Sequence, residues 1–231
     1  MKHGIGNRLL SASELVRQDA YLADIGTDHA YLPLFLLSEG RISCAVCADI
    51  NKGPLENAKR NAEQCGLSDK ISFVLTDGAK GLSGMGITDY AICGMGGELI
   101  AQIIEDSPHL KEKGVRLILQ PMSRQEILRT YLARHGFEVL SESYSKEGGK
   151  YYLSMSVEFD GKRRNITEYE AEFGALAAAR VNLSDAEAGY LKTKLAALER
   201  AAFGKLQSGE ANSKEQLLLS EYKERTKRSE R

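Results

Sequence analysis

The chain has 231 residues, of which 42% are hydrophobic and 27% are charged, and its formal net charge is −1. This composition is typical of a folded globular protein and argues against global disorder. The near-neutral balance provides no overall basic field, so an RNA partner would need a local basic patch. No apolar run approaches the roughly 20 residues that cross a bilayer, and the N-terminus lacks the apolar core of a secretory signal. We therefore expect a cytoplasmic protein with no membrane partner.

Two of the four cysteines, Cys44 and Cys47, form a C-x-x-C pair. A zinc site would need a second pair or histidines at matching spacing, and none follows. The pair lies in the apolar run RISCAVCADI, which predicts a buried strand, where cysteine behaves as a small hydrophobic residue. We predict core filling and no metal site, with redox or metal chemistry as the alternative.

Residues 15–158 alternate short apolar runs with longer stretches of helical period, the pattern of successive βα units. Strands are predicted over 21–26, 42–50, 70–78, 88–97 and 115–121, and helices over 6–16, 30–40, 54–66, 97–107 and 123–136. Segments 137–147 and 150–159 then alternate apolar and polar residues around two glycines, which predicts a hairpin. We therefore expect an α/β, Rossmann-like, mostly parallel sheet that ends in an antiparallel pair. Such an ending is more typical of methyltransferases than of nicotinamide dehydrogenases.

The composition changes around residues 161–165, after which strand patterns stop. We place a domain boundary there, with one domain over 1–160 and a helical, coiled-coil-like domain over 161–231. The predicted seams are Leu191, Leu195, Leu198 and Ala202 on one helix and Leu218, Tyr222 and Arg225 on the next. Residues 207–213 separate them, which favours a helical hairpin. A docking arm or dimer element is one interpretation, and RNA contact is the other, because the terminal KERTKRSER carries five basic residues against two acids.

The stretch DIGTDHAYLP begins like the glycine-rich turn of a nucleotide-binding fold. In such folds the first strand ends in a glycine turn, and the second ends in an acid that binds ribose hydroxyls. Asp49 follows Gly26 by 23 residues, which suits a nucleoside ligand. Asp28 replaces the glycine of a pyrophosphate-binding turn, and its charge would repel a pyrophosphate. Asp28 suits a cofactor with an ammonium and a sulfonium, such as S-adenosylmethionine, although it could instead cap the following helix.

Two further strand ends carry candidate ligands. Asp77-Gly78 closes the third strand, where a methyltransferase would place a side chain against the adenine amine, although the pair is also an ordinary turn dipeptide. CGMGGE follows the fourth strand, and its glycines would let the backbone approach a ligand closely. We expect this part of the site to be formed largely by backbone.

The segments DIGTDHAYLP, ADINKGPLENAK, LTDG, GMGGELI and LILQP, in this order and followed by a helical hairpin, resemble the bacterial tRNA adenine-N1-methyltransferase family that modifies position 22. The resemblance covers essentially the whole chain. It implies a class I methyltransferase domain that uses S-adenosylmethionine, and a C-terminal coiled-coil-like domain that assists tRNA binding. The candidate cofactor-binding residues are Asp24, Gly26, Thr27, Asp28, His29, Asp49, Ile50, Asp77, Gly78, Gly94, Met95 and Gly96.

The implied reaction is attack by the adenine N1 lone pair on the cofactor methyl, a step that needs no strong general base. Rate enhancement would then come from proximity, alignment and desolvation. Because N1 lies on the Watson–Crick edge, the base must be unpaired and presented to a pocket, commonly between aromatic and apolar side chains. Asp28, His29 and Tyr31 are the candidate catalytic residues, in positioning roles. A structural histidine and simple helix packing are the alternatives for His29 and Tyr31.

Candidate contacts to RNA phosphates lie at two places, the start of the first helix and the domain boundary. They are Asn7, Arg8, Lys162, Arg163 and Arg164. A solvated helix start is the alternative for the first two. Other hypotheses are a methyltransferase that acts on another RNA, a protein or a small molecule, and a non-catalytic RNA-binding protein. The sequence does not indicate an oligomeric state.

Overall fold

The computed structural model describes residues 4–178 and 182–229. The strands are β1 (Leu22–Ile25), β2 (Ala45–Asp49), β3 (Ile71–Leu75), β4 (Asp89–Gly96), β5 (Arg116–Ser123), β6 (Phe137–Glu147) and β7 (Lys150–Phe159). The α-helices are α1 (Asn7–Ser13), α2 (Tyr31–Ser38), α3 (Lys52–Gln64), α4 (Gly97–Glu105), α5 (Gln125–Arg134), α6 (Glu168–Phe173), α7 (Asp185–Gln207) and α8 (Lys214–Ser229). Within these ranges, none of the helices combines the length and apolarity that a membrane crossing requires.

The strands form one sheet in the order β3-β2-β1-β4-β5-β7-β6. Strands β1 to β5 pair in parallel, and β7 runs antiparallel to both β5 and β6, which confirms the predicted architecture. Leu22 of β1 is in register with Ala45 on one side and Asp89 on the other. The strand order reverses between β1 and β4, so their carboxyl ends form a crevice of the kind that binds ligands in open α/β sheets.

Apolar side chains cover both faces of the sheet. Ala23 and Ile25 of β1 lie in the core that includes α4 and α5, whereas Leu22 lies in the core that includes α2. This alternation follows from the two-residue repeat of a strand buried on both faces. Cys47 is fully buried in the second core, as its apolar surroundings predict, and Cys44 is half-buried just before β2.

The region after residue 160 contains more structure than the predicted helical hairpin. The short helix α6 was not predicted, although its start carries a recognisable capping box formed by Thr167 and Glu170. Ser184 and Glu187 form the same arrangement at the start of α7. Residues 179–181 and the last two residues of KERTKRSER lie outside the described ranges.

Helix α7 packs against two different partners along its length. Near its start, the ring of Tyr190 lies 5.0 Å from that of Tyr144 on β6. Further along, the predicted seam faces α8 and α6: Leu198 joins Leu218, Tyr169 and Phe173 in a separate apolar cluster. The helical hairpin is confirmed, and its first turns share the core of the sheet. The division at residues 160 and 161 stays a prediction.

A buried ion pair joins the sheet to the segment that leads into this hairpin. Arg129 Nε on α5 lies 2.7 Å from Glu142 Oε1 on β6, and their side chains are only 4% and 2% exposed. Arg129 Nη1 also donates to the carbonyl of Ala171 at 2.9 Å. Glu142 Oε2 accepts from the Tyr144 hydroxyl at 2.5 Å and from the Ala175 amide at 2.8 Å. Both charges are therefore paired and hydrogen-bonded, which burial requires.

Replacement of Glu142 by Gln should destabilise the protein by about 3 kcal/mol, because it leaves the Arg129 guanidinium buried without a compensating charge. Urea unfolding followed by circular dichroism measures the change. Glu221→Gln is the matched control, because it breaks the exposed Arg225–Glu221 ion pair on α8 and should shift the midpoint little. Equal losses in the two variants would contradict the assigned role of the buried pair.

Candidate functional site

A cavity of about 200 Å³ lies at the carboxyl ends of β1 and β4. Its wall comes from Arg8 on α1, Asp24 at the end of β1, the turn over residues 26–30, the start of α2, and Cys93 of β4. Five of the predicted cofactor-binding residues line it, namely Asp24, Gly26, Thr27, Asp28 and His29. The cavity therefore lies at the point in the sheet where the glycine-turn pattern placed it.

The turn after β1 is fixed by backbone hydrogen bonds and by a close contact. The amides of Gly26 and Thr27 both donate to the carbonyl of Ala48 on β2, at 2.8 and 3.1 Å. Gly26 has φ +75°, and a Cβ at this position would lie 2.1 Å from Cε of Met95. The positive φ favours glycine, and any side chain here would also require the end of Met95 to move.

The three candidate catalytic residues lie together at the rim of the cavity. Asp28 Oδ2 lies 3.3 Å from Nε2 of His29, and the His29 and Tyr31 rings stack at 5.0 Å between centroids. Asn61 on α3 donates its side-chain amide to the His29 carbonyl at 3.0 Å. Tyr31 is 48% exposed, so its ring is accessible from outside. The structure thus forms an aromatic rim next to an acid.

Asp28 does not cap α2, so that alternative is wrong. The helix begins after Ala30, which has φ +55°, and no side chain accepts a hydrogen bond in the N-cap role there. The Ala30 amide donates instead to Thr27 Oγ1 at 3.2 Å. The Asp28 side chain is 65% exposed and remains available to a ligand.

Asp24 lies at the base of the cavity and is the most perturbed acid of the site. Burial, with a smaller contribution from the charge of Asp49, raises the pKa of Asp24 to about 6, against a hydrogen bond from Thr27 that lowers it. Burial and the neighbouring Asp24 raise the pKa of Cys93 to about 12, so this thiol stays protonated. A cation at this position would favour the ionised form of Asp24.

The other predicted cofactor residues lie along the same edge of the sheet, outside this cavity. Asp49 accepts the Asn51 amide at 2.7 Å through Oδ1, and the neighbouring Ile50 is 61% exposed. Asp77 forms an ion pair with Lys80 at 2.6 Å, and Lys80 also lies 3.1 Å from Asp106. This pairing was not anticipated, and the i, i+3 spacing of Asp77 and Lys80 was its only signal in the sequence.

The glycine segment after β4 forms an irregular end to the strand. Gly94 has φ +82°, and pairing with β5 shifts register between Cys93 and Met95. A Cβ at Gly97 would lie 2.3 Å from the carbonyl oxygen of Arg124, so the start of α4 packs directly on the backbone after β5. The exposed surface of Gly94, beside the half-buried Met95 and Gly96, fits the expected contribution of backbone.

Gln120 is a site residue that the sequence reasoning missed. Its fully buried side chain accepts, through Oε1, from Arg8 Nη1 at 2.6 Å and from the Gly94 amide at 3.1 Å. The available signal was one amide in the otherwise apolar run VRLILQP. Arg8 therefore directs its guanidinium to the cavity, whereas Asn7 donates its side-chain amide to the Lys146 carbonyl at 3.0 Å.

The three basic residues after β7 have different surroundings. Lys162 and Arg163 are exposed. Arg164 is half-buried, and its Nη1 donates to Asp160 Oδ1 at 3.0 Å. The hydrogen bonds from Arg164 and the Lys162 amide lower the pKa of Asp160 to about 2. The first two are therefore open to a polyanion, and Arg164 already has an acidic partner.

A parallel sheet that closes with an antiparallel pair, with a glycine turn and an acid-lined cavity at the β1/β4 edge, defines a class I methyltransferase fold. Residues 5–155 match the family described as methyltransferase domain, and the chain belongs to that family.

A curated relative and two solved structures are more specific. The tRNA (adenine(22)-N(1))-methyltransferase of Bacillus subtilis is 35% identical over 154 residues, which cover 67% of this chain and 65% of the relative. A Streptococcus pneumoniae protein solved with S-adenosyl-L-methionine superposes with a TM-score of 0.81 at 32% identity, covering 96% of this chain and all of that one. The B. subtilis m1A22 tRNA methyltransferase structure gives a TM-score of 0.76 at 27% identity, covering 97% and 96%. The similarity to the solved structures thus includes the C-terminal helices.

Gly26→Ala should cost more stability than Gly40→Ala, although both glycines have positive φ. The strained backbone alone should cost about 1 kcal/mol at Gly40, where a Cβ would meet no atom within 4 Å. At Gly26 the end of the flexible Met95 side chain must also move, which should add the lower end of an overpacking cost and raise the loss to about 2 kcal/mol. Chemical denaturation measures both, and equal losses would show that the Met95 contact imposes no constraint.

Asp24→Asn should stabilise the ligand-free protein at neutral pH. A folded-state pKa of about 6 exceeds the unfolded value, so the folded state binds the proton more tightly and ionisation of Asp24 reduces stability as pH rises from about 4 to about 6. Above this pH range the free energy of unfolding of the variant should exceed that of the wild type by about 3 kcal/mol. Urea unfolding at pH 5 and pH 7.5 should show the variant gaining on the wild type as pH rises.

The matched control for this pH comparison is Asp69→Asn, which alters an exposed acid before β3. Its stability difference from the wild type should stay constant between the two pH values. A constant difference for Asp24→Asn as well would contradict the raised pKa of Asp24.

Proposed function

We propose that this protein transfers a methyl group from S-adenosylmethionine to N1 of the adenine at position 22 of tRNA. The observation that carries the proposal is the cavity between β1 and β4, which combines Asp24 and Asp28 with the guanidinium of Arg8. The names of the B. subtilis relatives and the ligand in the S. pneumoniae structure support the same activity. We expect the activity in the cytoplasm, because its substrate would be tRNA.

The charges around the cavity match the amino acid end of this cofactor. Asp24 and Asp28 would accept from its ammonium group, beside the fixed turn at Gly26. Arg8, which was expected to contact RNA phosphate, would instead face the carboxylate, because its guanidinium is turned into the cavity.

The adenosine end would extend along the sheet edge beyond the cavity. Asp49 has one carboxylate oxygen bound to the Asn51 amide, and its other oxygen would accept from the ribose hydroxyls. The exposed Ile50 would cover one face of the adenine. Asp77, with Gly78 beside it, would accept from the adenine amine while Lys80 holds its other side. Gly94, Met95 and Gly96 would supply backbone at the opposite wall.

The cofactor supplies an activated methyl group that N1 of the target adenine receives as the carbon–sulfur bond breaks. The lone pair of N1 is free when the base is unpaired, so the protein needs to align and desolvate the reactants and needs no strong base. Tyr31 and His29 would stack against the presented base at the rim. Asp28 would hold His29 in that orientation.

The tRNA body would contact exposed basic groups away from the cavity. Lys162 and Arg163 are accessible for phosphates, and Asn7, at the start of α1, is exposed although its side-chain amide donates to the Lys146 carbonyl. Arg164 would contribute less to phosphate binding than Lys162 and Arg163, because its guanidinium is already paired with Asp160. The hairpin of α7 and α8 is the proposed arm that holds the tRNA.

Unmodified tRNA transcripts incubated with labelled S-adenosylmethionine should acquire one N1-methyladenosine at position 22, identified by nucleoside and fragment analysis. A transcript with guanosine at position 22 is the matched control and should take up no label. Label in that control, or N6-methyladenosine as the product, would contradict the assigned position or atom. An absence of transfer with measurable binding of the transcript would favour a non-catalytic RNA-binding protein.

Asp28→Asn should lower the methylation rate by at least about tenfold, because the ligand-facing charge at the rim is lost, which is worth about 1.4 kcal/mol or more. Its thermal unfolding should stay close to that of the wild type, since the side chain is exposed and does not cap α2. Asp69→Asn, remote from the cavity, should keep full activity. Wild-type activity in Asp28→Asn would remove Asp28 from the site.

A further inference from the structure

We propose that Gln120 is a positioning residue that aligns Arg8 with the carboxylate of the methionine part of the cofactor. This inference rests on the proposed function. None of the predicted site residues lies on β5. Through Gln120, this strand would make the site prefer ligands with an intact amino acid end over ligands that lack it.

The geometry around Gln120 joins two parts of the site that are far apart in the chain. Its Oε1 accepts from Arg8 Nη1 at 2.6 Å and from the Gly94 amide at 3.1 Å. Its Nε2 lies 3.5 Å from Sδ of Met122, so the amide orientation is defined on both sides. Because the side chain is fully buried, no water competes for the shared oxygen. One acceptor thus fixes the guanidinium relative to the glycine segment after β4.

The backbone of Arg8 is fixed independently of Gln120. Its amide donates to Glu147 Oε2 at 2.9 Å, and a Cβ on the preceding Gly6 would collide with that carboxylate. Ser11 Oγ lies 2.9 Å from Ser143 Oγ further along α1. The helix is therefore anchored to the β6–β7 hairpin, and Gln120 needs to hold only the far end of the Arg8 side chain.

The side-chain amide of Gln120 is neutral, which determines how much of the Arg8 charge is available to a ligand. A neutral acceptor orients the guanidinium and leaves its positive charge uncompensated, whereas a carboxylate at position 120 would neutralise it. The charge of Arg8 is felt inside the cavity, where it opposes the effect of Asp24 on the Cys93 thiol. The cavity therefore has a cationic side at Arg8 and an anionic side at Asp24 and Asp28.

A ligand with a carboxylate and an ammonium on one carbon complements both sides of the cavity. The planar guanidinium fork matches a carboxylate in two parallel hydrogen bonds, but only when its plane is correctly oriented. Rotation of Arg8 would retain the charge and lose that match. Gln120 should therefore affect affinity for the amino acid end much more than affinity for the nucleoside end, which it reaches only through the Gly94 amide.

The test compares two ligands that share a thioether nucleoside and differ in the amino acid end. S-adenosylhomocysteine has the carboxylate and ammonium, and 5′-methylthioadenosine has neither. By calorimetry, Gln120→Met should weaken the first by about tenfold, equivalent to 1.4 kcal/mol. Affinity for 5′-methylthioadenosine should change less than about twofold. Arg8→Met should show the same selectivity, and the double variant should lose little more than either single variant, because the two residues act as one unit.

Equal weakening of both ligands by Gln120→Met would overturn the proposal, since it would mean that Gln120 only supports the backbone at Gly94. Unchanged affinity for S-adenosylhomocysteine would overturn it as well. If the wild-type protein bound neither ligand, the proposed cofactor site itself would fail, which is a separate result. If Gln120→Met does not fold, Arg8→Lys provides the test, because it retains the charge and removes the planar guanidinium. An undiminished preference of this variant for S-adenosylhomocysteine over 5′-methylthioadenosine would overturn the alignment role.

Discussion

The site depends on the parallel pairing of β1 with β4, and just beyond the paired residues the methyl group of Met95 packs against the turn at Gly26. A Cβ at Gly26 would lie only 2.1 Å from Met95 Cε. The turn cannot move away, because the Gly26 and Thr27 amides are bound to the Ala48 carbonyl of β2. The ends of β1 and β4 are held together by direct parallel pairing, which extends to Ile25 and Ile92. This pairing places Asp24 and Cys93 in the wall of the same cavity.

The β6–β7 hairpin connects the two terminal regions of the chain, because successive side chains of a strand point to opposite faces. On β6, Ser143 contacts α1, whereas Glu142 and Tyr144 contact α5 and the C-terminal helices. Tyr190 of α7 and Arg8 of α1 are consequently supported by one rigid ribbon. The start of α7 and the cationic wall of the cavity therefore share one support.

The order of strands and helices, the closing hairpin and the glycine turn were predictable, because each depends on local periodicity and turn chemistry. The pairing of Arg8 with Gln120 was not, because it joins residues 112 positions apart through burial that periodicity does not encode. The alternative role of Asp28 as a helix cap was wrong for a local reason. Ala30, which adopts φ +55°, is the N-cap residue of α2, two residues after Asp28. Helix α6 was missed although Thr167 and Glu170 carry its signal, since the helix has only six residues.

The cavity holds the carboxylate of Asp24 and the guanidinium of Arg8 apart, and this separation does not stabilise the protein without ligand. Asp24 is buried without a cationic partner close enough to offset desolvation, so its pKa rises to about 6 and its ionised form is disfavoured. Arg8, in turn, is oriented by a neutral amide that leaves its charge uncompensated. A zwitterionic ligand would relieve both conditions together, since its ammonium would stabilise ionised Asp24 and its carboxylate would pair with Arg8. Because each charge alone would suit many ligands, selectivity would arise from the distance between them, which depends on where Gln120 holds the Arg8 guanidinium.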